Sequence, residues 1–128
     1  MCMKITNHSL VNEFKKIGFT DKEALVYVAL IELGGASPSK IAEYSGLKRA
    51  TTYNVLVTLS VRGLINEVEK RNKLFYQIDK PHKLLQYSNM RIRIARDNLE
   101  RVERMLPDLE GLFSLIPERP KVLFFEGA

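Results

Sequence analysis

Residues 37–62 read SPSKIAEYSGLKRATTYNVLVTLSVR, and this stretch decides the fold. Ser37 suits a helix cap and Pro38 the first helical position, where a missing N–H costs nothing. The spacing predicts a short helix over Pro38–Ser45 that turns Ile41 and Ala42 inward. Gly46 stops it and can take the left-handed conformation that a tight turn needs. Ala42 is small where two helices must cross closely, and Leu47 plugs the gap between them. A second helix is predicted over Lys48–Arg62, with Thr52, Val55, Leu56 and Leu59 on one inward stripe. Thr52 stands where an aliphatic residue is usual, so its hydroxyl must find a backbone carbonyl nearby. Gly63 ends this helix. Leu64–Glu69 and Lys73–Ile78 then read as strands of a hairpin around Lys70-Arg71-Asn72.

Helix, tight turn, helix and two-stranded hairpin make up the winged helix-turn-helix arrangement. With the inward stripe buried, the second helix presents Lys48, Arg49, Ala50, Tyr53 and Asn54, with Thr51 at the edge. This inventory suits a DNA major groove. Arg donates two hydrogen bonds to guanine, Asn bonds adenine bidentately, and Ala admits a thymine methyl. Thr51, Tyr53 and Lys48 suit phosphates, which set register. At the hairpin tip, Lys70, Arg71 and Lys73 are placed to reach an adjacent minor groove or its phosphates. Ser37 completes this candidate DNA-binding set. The competing readings are plain ones: Tyr53 packs on the hairpin, Arg49 is a solvated charge, and the basic tip serves solubility and edge protection.

Upstream, Leu10, Phe14 and Ile17 fall at helical spacing, with Asn7 or Ser9 as a cap and Gly18 as a stop. Thr20-Asp21-Lys22-Glu23 has the form of a capping box, and an amphipathic helix follows it to Leu33. Gly34-Gly35 ends that helix. Downstream, the stretch between Pro81 and Pro107 has no Gly or Pro and is helical in pattern. Leu85, Ser88, Ile92, Ala95, Leu99, Val102, Leu106, Leu109 and Phe113 recur at alternating spacings of three and four, a heptad seam suited to pairing two chains. The candidate dimerisation residues are the apolar members of that seam. Pro107 predicts a kink or a break. A second stripe, Leu84, Tyr87, Met90 and Ile94, suits packing on the globular body. Pair orientation is open: parallel helices would set Arg91 against the partner's Arg96, whereas antiparallel ones set Arg96 near Glu103.

The chain has 128 residues, 45% of them hydrophobic, and a formal net charge of +5. Its length suits one compact domain plus an appendage rather than a two-domain enzyme. The charge is unevenly placed. Residues 38–96 hold twelve Lys/Arg against four Asp/Glu, residues 97–128 hold four against seven, and the first 37 residues balance. A basic centre points to a polyanion-facing surface. No apolar run is long enough for a membrane span. The single cysteine, Cys2, fits a reducing cytoplasm, and the N-terminus lacks a secretory signal. Cys2, His8 and His82 are scattered, so no metal ligand set is expected. No phosphate loop or catalytic constellation is present in the sequence, so no enzyme and no cofactor are expected.

The segments TDKEALVYVAL, SPSKIAEYSGLKRATTYNVL and RGLI, followed by a hairpin, PHKLLQ and a long helix, resemble the TrmB-like family of transcriptional regulators. The resemblance covers about residues 10–127. It implies a winged helix on operator DNA, a coiled-coil dimerisation helix and, usually, a larger C-terminal sugar-binding domain. By the same resemblance, Lys48, Arg49, Thr51, Tyr53 and Asn54 occupy recognition-helix positions. RPKVLFFEGA resembles the entry into the C-terminal domain.

The expectation is therefore a mainly α chain: a winged helix-turn-helix domain with a two-stranded β-hairpin wing, then a long C-terminal coiled-coil helix. Residues 1–80 form the DNA-binding domain, 81–116 the dimerisation helix, and 117–128 a tail resembling the start of an absent effector domain. The expected function is a homodimeric, sequence-specific regulator that binds double-stranded DNA, with no membrane partner and no small-molecule effector site in this chain. The alternative is a winged helix used as a protein–protein module within a larger transcription or chromosome assembly.

Overall fold

The computed structural model describes residues 3–117, so Cys2 and most of the expected tail lie outside the described residues. The described element order is α1 (His8–Lys16), α2 (Asp21–Leu33), α3 (Pro38–Ser45), α4 (Arg49–Val61), β1 (Asn66–Lys70), β2 (Lys73–Gln77) and α5 (Lys83–Ser114). The chain divides into two compact units, Met1–Ser88 and Asn89–Ala128. The fold is a mainly helical winged helix with a two-stranded antiparallel hairpin and a long C-terminal helix.

Each helix start follows from local chemistry. Asn7, not Ser9, caps α1 by accepting the N–H of Leu10. At α2 the Thr20 hydroxyl takes the Glu23 N–H while the Glu23 carboxylate takes the Thr20 N–H, a complete capping box. Ser37 caps α3 by accepting the Lys40 N–H, with Pro38 in the first turn. Gly46 then turns the chain with φ of 76°.

The core of the first unit gathers on α2, where Ala24, Val26, Tyr27, Val28, Ala29 and Leu30 are all buried. Phe14, Phe19 and Tyr27 form an aromatic cluster with centroids 4.7 to 6.0 Å apart. Ile41 from α3 and Leu56 and Leu59 from α4 close it from the other side. Leu84 and Tyr87, at the start of α5, pack against this core as the second stripe predicts, whereas Met90 and Ile94 in the second unit are exposed.

Three expectations need correction. Ile17 is about half exposed, and Val11 is buried with Phe14 in its place; helix α1 ends at Lys16, so Ile17 sits at its cap and leaves the helical stripe. The first strand starts at Asn66, not Leu64. Leu64 and Ile65 are both buried, because the turn at Gly63 (φ 76°) drives two consecutive side chains into the core before alternation begins. Finally, α5 does not break at Pro107 but runs on to Ser114. The proline removes only one donor, and the carbonyl it would have served lies on an exposed stretch of helix where water can satisfy it.

Two features carried no pattern in the sequence. Residues 3–7 form a strap over the motif: the Lys4 N–H bonds the Tyr44 carbonyl at 2.8 Å, Ile5 is buried, and Met3 lies against Gly46. Ala36 pairs with Tyr76 through two backbone hydrogen bonds and adds one residue of a third strand to the hairpin. A Cβ at Gly35 would meet the Tyr76 carbonyl at 3.3 Å, so this approach needs the second glycine of the pair.

Candidate nucleic-acid interface

Helix α4 is fastened by one face and open on the other. Thr52, Leu56 and Leu59 are fully buried, and Val55 is half-buried. The Thr52 hydroxyl donates to the Lys48 carbonyl at 2.9 Å, the partner that a buried hydroxyl requires. On the opposite face Lys48, Arg49, Ala50, Tyr53 and Asn54 are exposed, and Thr51 is half-buried at the edge. Val57 and Val61 continue that outer face and are also exposed. The first turn of α4 has no acidic residue and no side-chain cap. Its free N–H groups thus add their partial positive charge to those of Lys48 and Arg49.

The far end of α4 is locked. Arg62 pairs with the buried Glu23 carboxylate at 3.1 Å and lies 6.0 Å from the Tyr87 ring centroid. The same Glu23 oxygen accepts the Thr20 N–H, so one carboxylate ties the start of α2 to the end of α4. The near end is set through α3. Tyr44 donates its hydroxyl to Glu32 at 2.6 Å, and Glu32 also accepts the N–H groups of Thr6 and Asn7. Desolvation pushes the Glu32 carboxyl up, but the bonds from Tyr44, Thr6 and Asn7 outweigh it and hold its pKa at about 2. The Tyr44 hydroxyl is raised by the same bond.

The wing brings its basic residues together. Lys70 is the cross-strand partner of Lys73, and Val68 that of Phe75. Arg71 and Asn72 form the tip with φ of 51° and 62°. Lys70, Arg71, Lys73 and Phe75 line an open groove of about 400 Å³, and the Lys70 ammonium lies 5.9 Å from the Phe75 ring centroid. Phe75 was not singled out from sequence, although a two-residue turn at Arg71-Asn72 fixes it beside Lys73 on one face of the ribbon. On the other face the buried Tyr76 hydroxyl donates to Glu67 at 3.3 Å. Its pKa is raised by burial first, then by Glu67 and the nearby Tyr53. Half of the Tyr53 surface is open. Ser37, whose oxygen is engaged at the α3 cap, is half-buried.

The sequence profile described as "Sugar-specific transcriptional regulator TrmB" matches residues 14–81, from the end of α1 to the start of the α5 region. The chain belongs to the TrmB family. TrmB proteins are winged-helix, DNA-binding transcriptional regulators and not enzymes. The chain is 24% identical over 120 residues to the HTH-type sugar sensing transcriptional regulator TrmBL1 of Pyrococcus furiosus, covering 92% of this chain and 33% of that protein. It thus spans about a third of the length of this curated relative. Among solved structures, TrmBL2, described as an archaeal chromatin protein with a novel mode of DNA binding, superposes with a TM-score of 0.72 at 21% identity, covering 91% of this chain and 44% of that one. A possible transcriptional regulator from Methanosarcina mazei Go1 superposes at 0.59 with 9% identity, covering 77% and 88%. The ST1889 protein of Sulfolobus tokodaii superposes at 0.53 with 22% identity, covering 73% and 99%. These likenesses establish the fold. Among the described residues, no helix is long and apolar enough to cross a membrane, and no cluster of His, Cys, Asp or Glu could hold a metal ion.

Proposed function

We propose that this TrmB-family chain is the DNA-reading and dimer-forming part of a sequence-specific transcriptional regulator. In this reading α4 enters the major groove by its first two turns. Arg49 and Asn54 address base edges, and Lys48, Thr51 and Tyr53 the phosphates. The tip residues Lys70, Arg71 and Lys73 contact flanking DNA, and Ser37, at the start of α3, faces a neighbouring phosphate. Helix α5 pairs two copies through Leu85, Ile92, Ala95, Leu99, Val102, Leu106, Leu109 and Phe113, so that the dimer binds a roughly twofold site. Residues 1–80 then form the reader and 81–116 the dimer handle.

The observation that carries the reading is the division of α4. Its buried face has an apolar core partner at each turn, whereas its outer face holds Lys48, Arg49 and Asn54 with no carboxylate in the first turn. A surface serving only solubility would not need to pair basic and amide side chains with a small Ala50 between them.

The test begins with selection of bound duplexes from a random pool, followed by titration of a selected and a random duplex at fixed salt. Arg49→Ala is expected to cost about 1–3 kcal/mol on the selected duplex and to relax one base position. Lys70→Ala is expected to weaken both duplexes alike. Equal loss on both duplexes for Arg49→Ala would remove base reading from the proposal. Weak, salt-insensitive binding by the unmodified chain would favour a protein–protein module instead.

A further inference from the structure

The seam of α5 continues past Pro107, and this constrains how two copies fit. The helix is unbroken from Lys83 to Ser114, so Leu109 and Phe113 stay on the same face as Ile92 and Leu99. That face is open in the single chain: Ile92 is 54% exposed, Leu99 58% and Phe113 52%. Pro107 follows the seam residue Leu106 by one position and points away from the face, where its missing N–H disturbs no packing.

We infer that the occupant of this face is a second copy of α5, antiparallel, with the twofold axis between Leu99 and Val102. This deepens the homodimer reading above and rests on it. Side-chain size gives the first argument. The seam alternates large residues (Ile92, Leu99, Leu106, Phe113) with smaller or variable ones (Ser88, Ala95, Val102, Leu109). Parallel helices face like with like, leaving Ser88 and Ala95 opposite themselves as voids and Phe113 opposite itself as a clash of volume. The antiparallel register instead sets Phe113 against the partner's Ser88 and Leu106 against the partner's Ala95. Leu99 then meets the partner's Val102, and Ile92 the partner's Leu109. Each layer combines volumes that fill the space between two helices. In this register only Leu85 lacks a seam partner, and sliding the pair by one heptad sets either Arg96 or Glu103 against its own copy.

Charge gives the second argument, and it is independent of volume. Beside the seam, the antiparallel register brings Arg96 to the partner's Glu103, twice by symmetry. A parallel pair brings Arg91 to the partner's Arg96, also twice, and like charges at these positions oppose pairing. The exposed Leu112 falls beside the partner's Arg91 in the antiparallel pair, where an aliphatic stem can cover it.

The two arrangements give opposite signs for one substitution. In sedimentation equilibrium of the full chain at low salt, Arg96→Glu is expected to raise the dimer Kd about tenfold, through two like-charge contacts with Glu103. Combining it with Glu103→Arg is expected to restore the original value. A tighter or unchanged dimer for Arg96→Glu alone overturns the antiparallel register. A single monomeric mass for the unmodified chain at high micromolar concentration overturns the homodimer reading itself, and the register with it. Cysteine cross-linking in a Cys2→Ser background provides a readout without charge. Ile92→Cys combined with Leu109→Cys is expected to give a covalent dimer on mild oxidation, and Ile92→Cys alone is not. A covalent dimer from Ile92→Cys alone identifies a parallel pair and overturns the proposal.

Discussion

Glu32 sits in the last turn of α2 and joins three parts of the reading unit: the strap through Thr6 and Asn7, α2 itself, and α3 through Tyr44. Local pattern assigns it no role, because its partners lie 25 and 26 residues upstream and 12 downstream. Contacts at such separations leave no periodic trace. Thr52 is the opposite case. Its partner is a carbonyl one helical turn back, so local geometry alone required the bond that is found. Glu32 also makes stability depend on pH in a defined direction. Its folded pKa is lowered from 4.5 to about 2, so its contribution is fully present above about pH 4.5 and is lost as the pH falls toward 2. Glu32→Gln is expected to cost about 1 kcal/mol at pH 7, a figure reduced because the carboxylate is partly solvated. Urea midpoints of the two proteins should converge as the pH is lowered through that window. A gap that persists undiminished at the acid end would exclude ionisation of Glu32 as its source.

At the scale of elements, the wing separates what local chemistry dictates from what tertiary packing decides. Two strand-like runs about a two-residue turn were legible, and so was the basic tip. The start of β1 was not, because the buried pair Leu64-Ile65 satisfies a core position rather than the alternation of a strand. The added bridge at Ala36 was not legible either, since one residue cannot display a period. The tip itself carries strain. Both central residues have positive φ, which Asn-Gly adopts easily, and Arg71 occupies the first of those positions at φ of 51°. Replacing Arg71→Asn and Asn72→Gly together is expected to stabilise the unit by up to about 1 kcal/mol in urea denaturation. On the proposed reading, the same pair of changes weakens DNA binding by a similar factor on every sequence and lowers the salt slope by about one per half-site. A loss confined to the selected duplex would instead make Arg71 a base-reading residue.

The whole molecule keeps its charges apart. The basic excess lies within residues 38–96, and the acidic excess within 97–128. The net charge of +5 therefore understates the field near α4 and the wing. This part of the design was readable by counting, and the long helix α5 was readable from its spacing. The persistence of α5 through Pro107 was not, since the sequence does not tell whether water will satisfy an orphaned carbonyl. If the proposed dimer engages about four phosphates in each half-site, the log of the association constant should fall with log salt with a slope near −7. Leu99→Glu isolates the dimer's share of that slope. Leu99 is 58% exposed in the single chain, so the change removes no packing from the reading unit and should leave its thermal transition in place. Charge repulsion at the centre of the seam should yield a monomer whose slope falls to about half, near −3.5, with a matching loss of affinity for a twofold site but little for a single half-site. Titration of both duplexes between 50 and about 200 mM salt measures the two slopes directly. A slope that stays near −7 in a proven monomer would place all the phosphate contacts within one chain, and the twofold arrangement on DNA would fall.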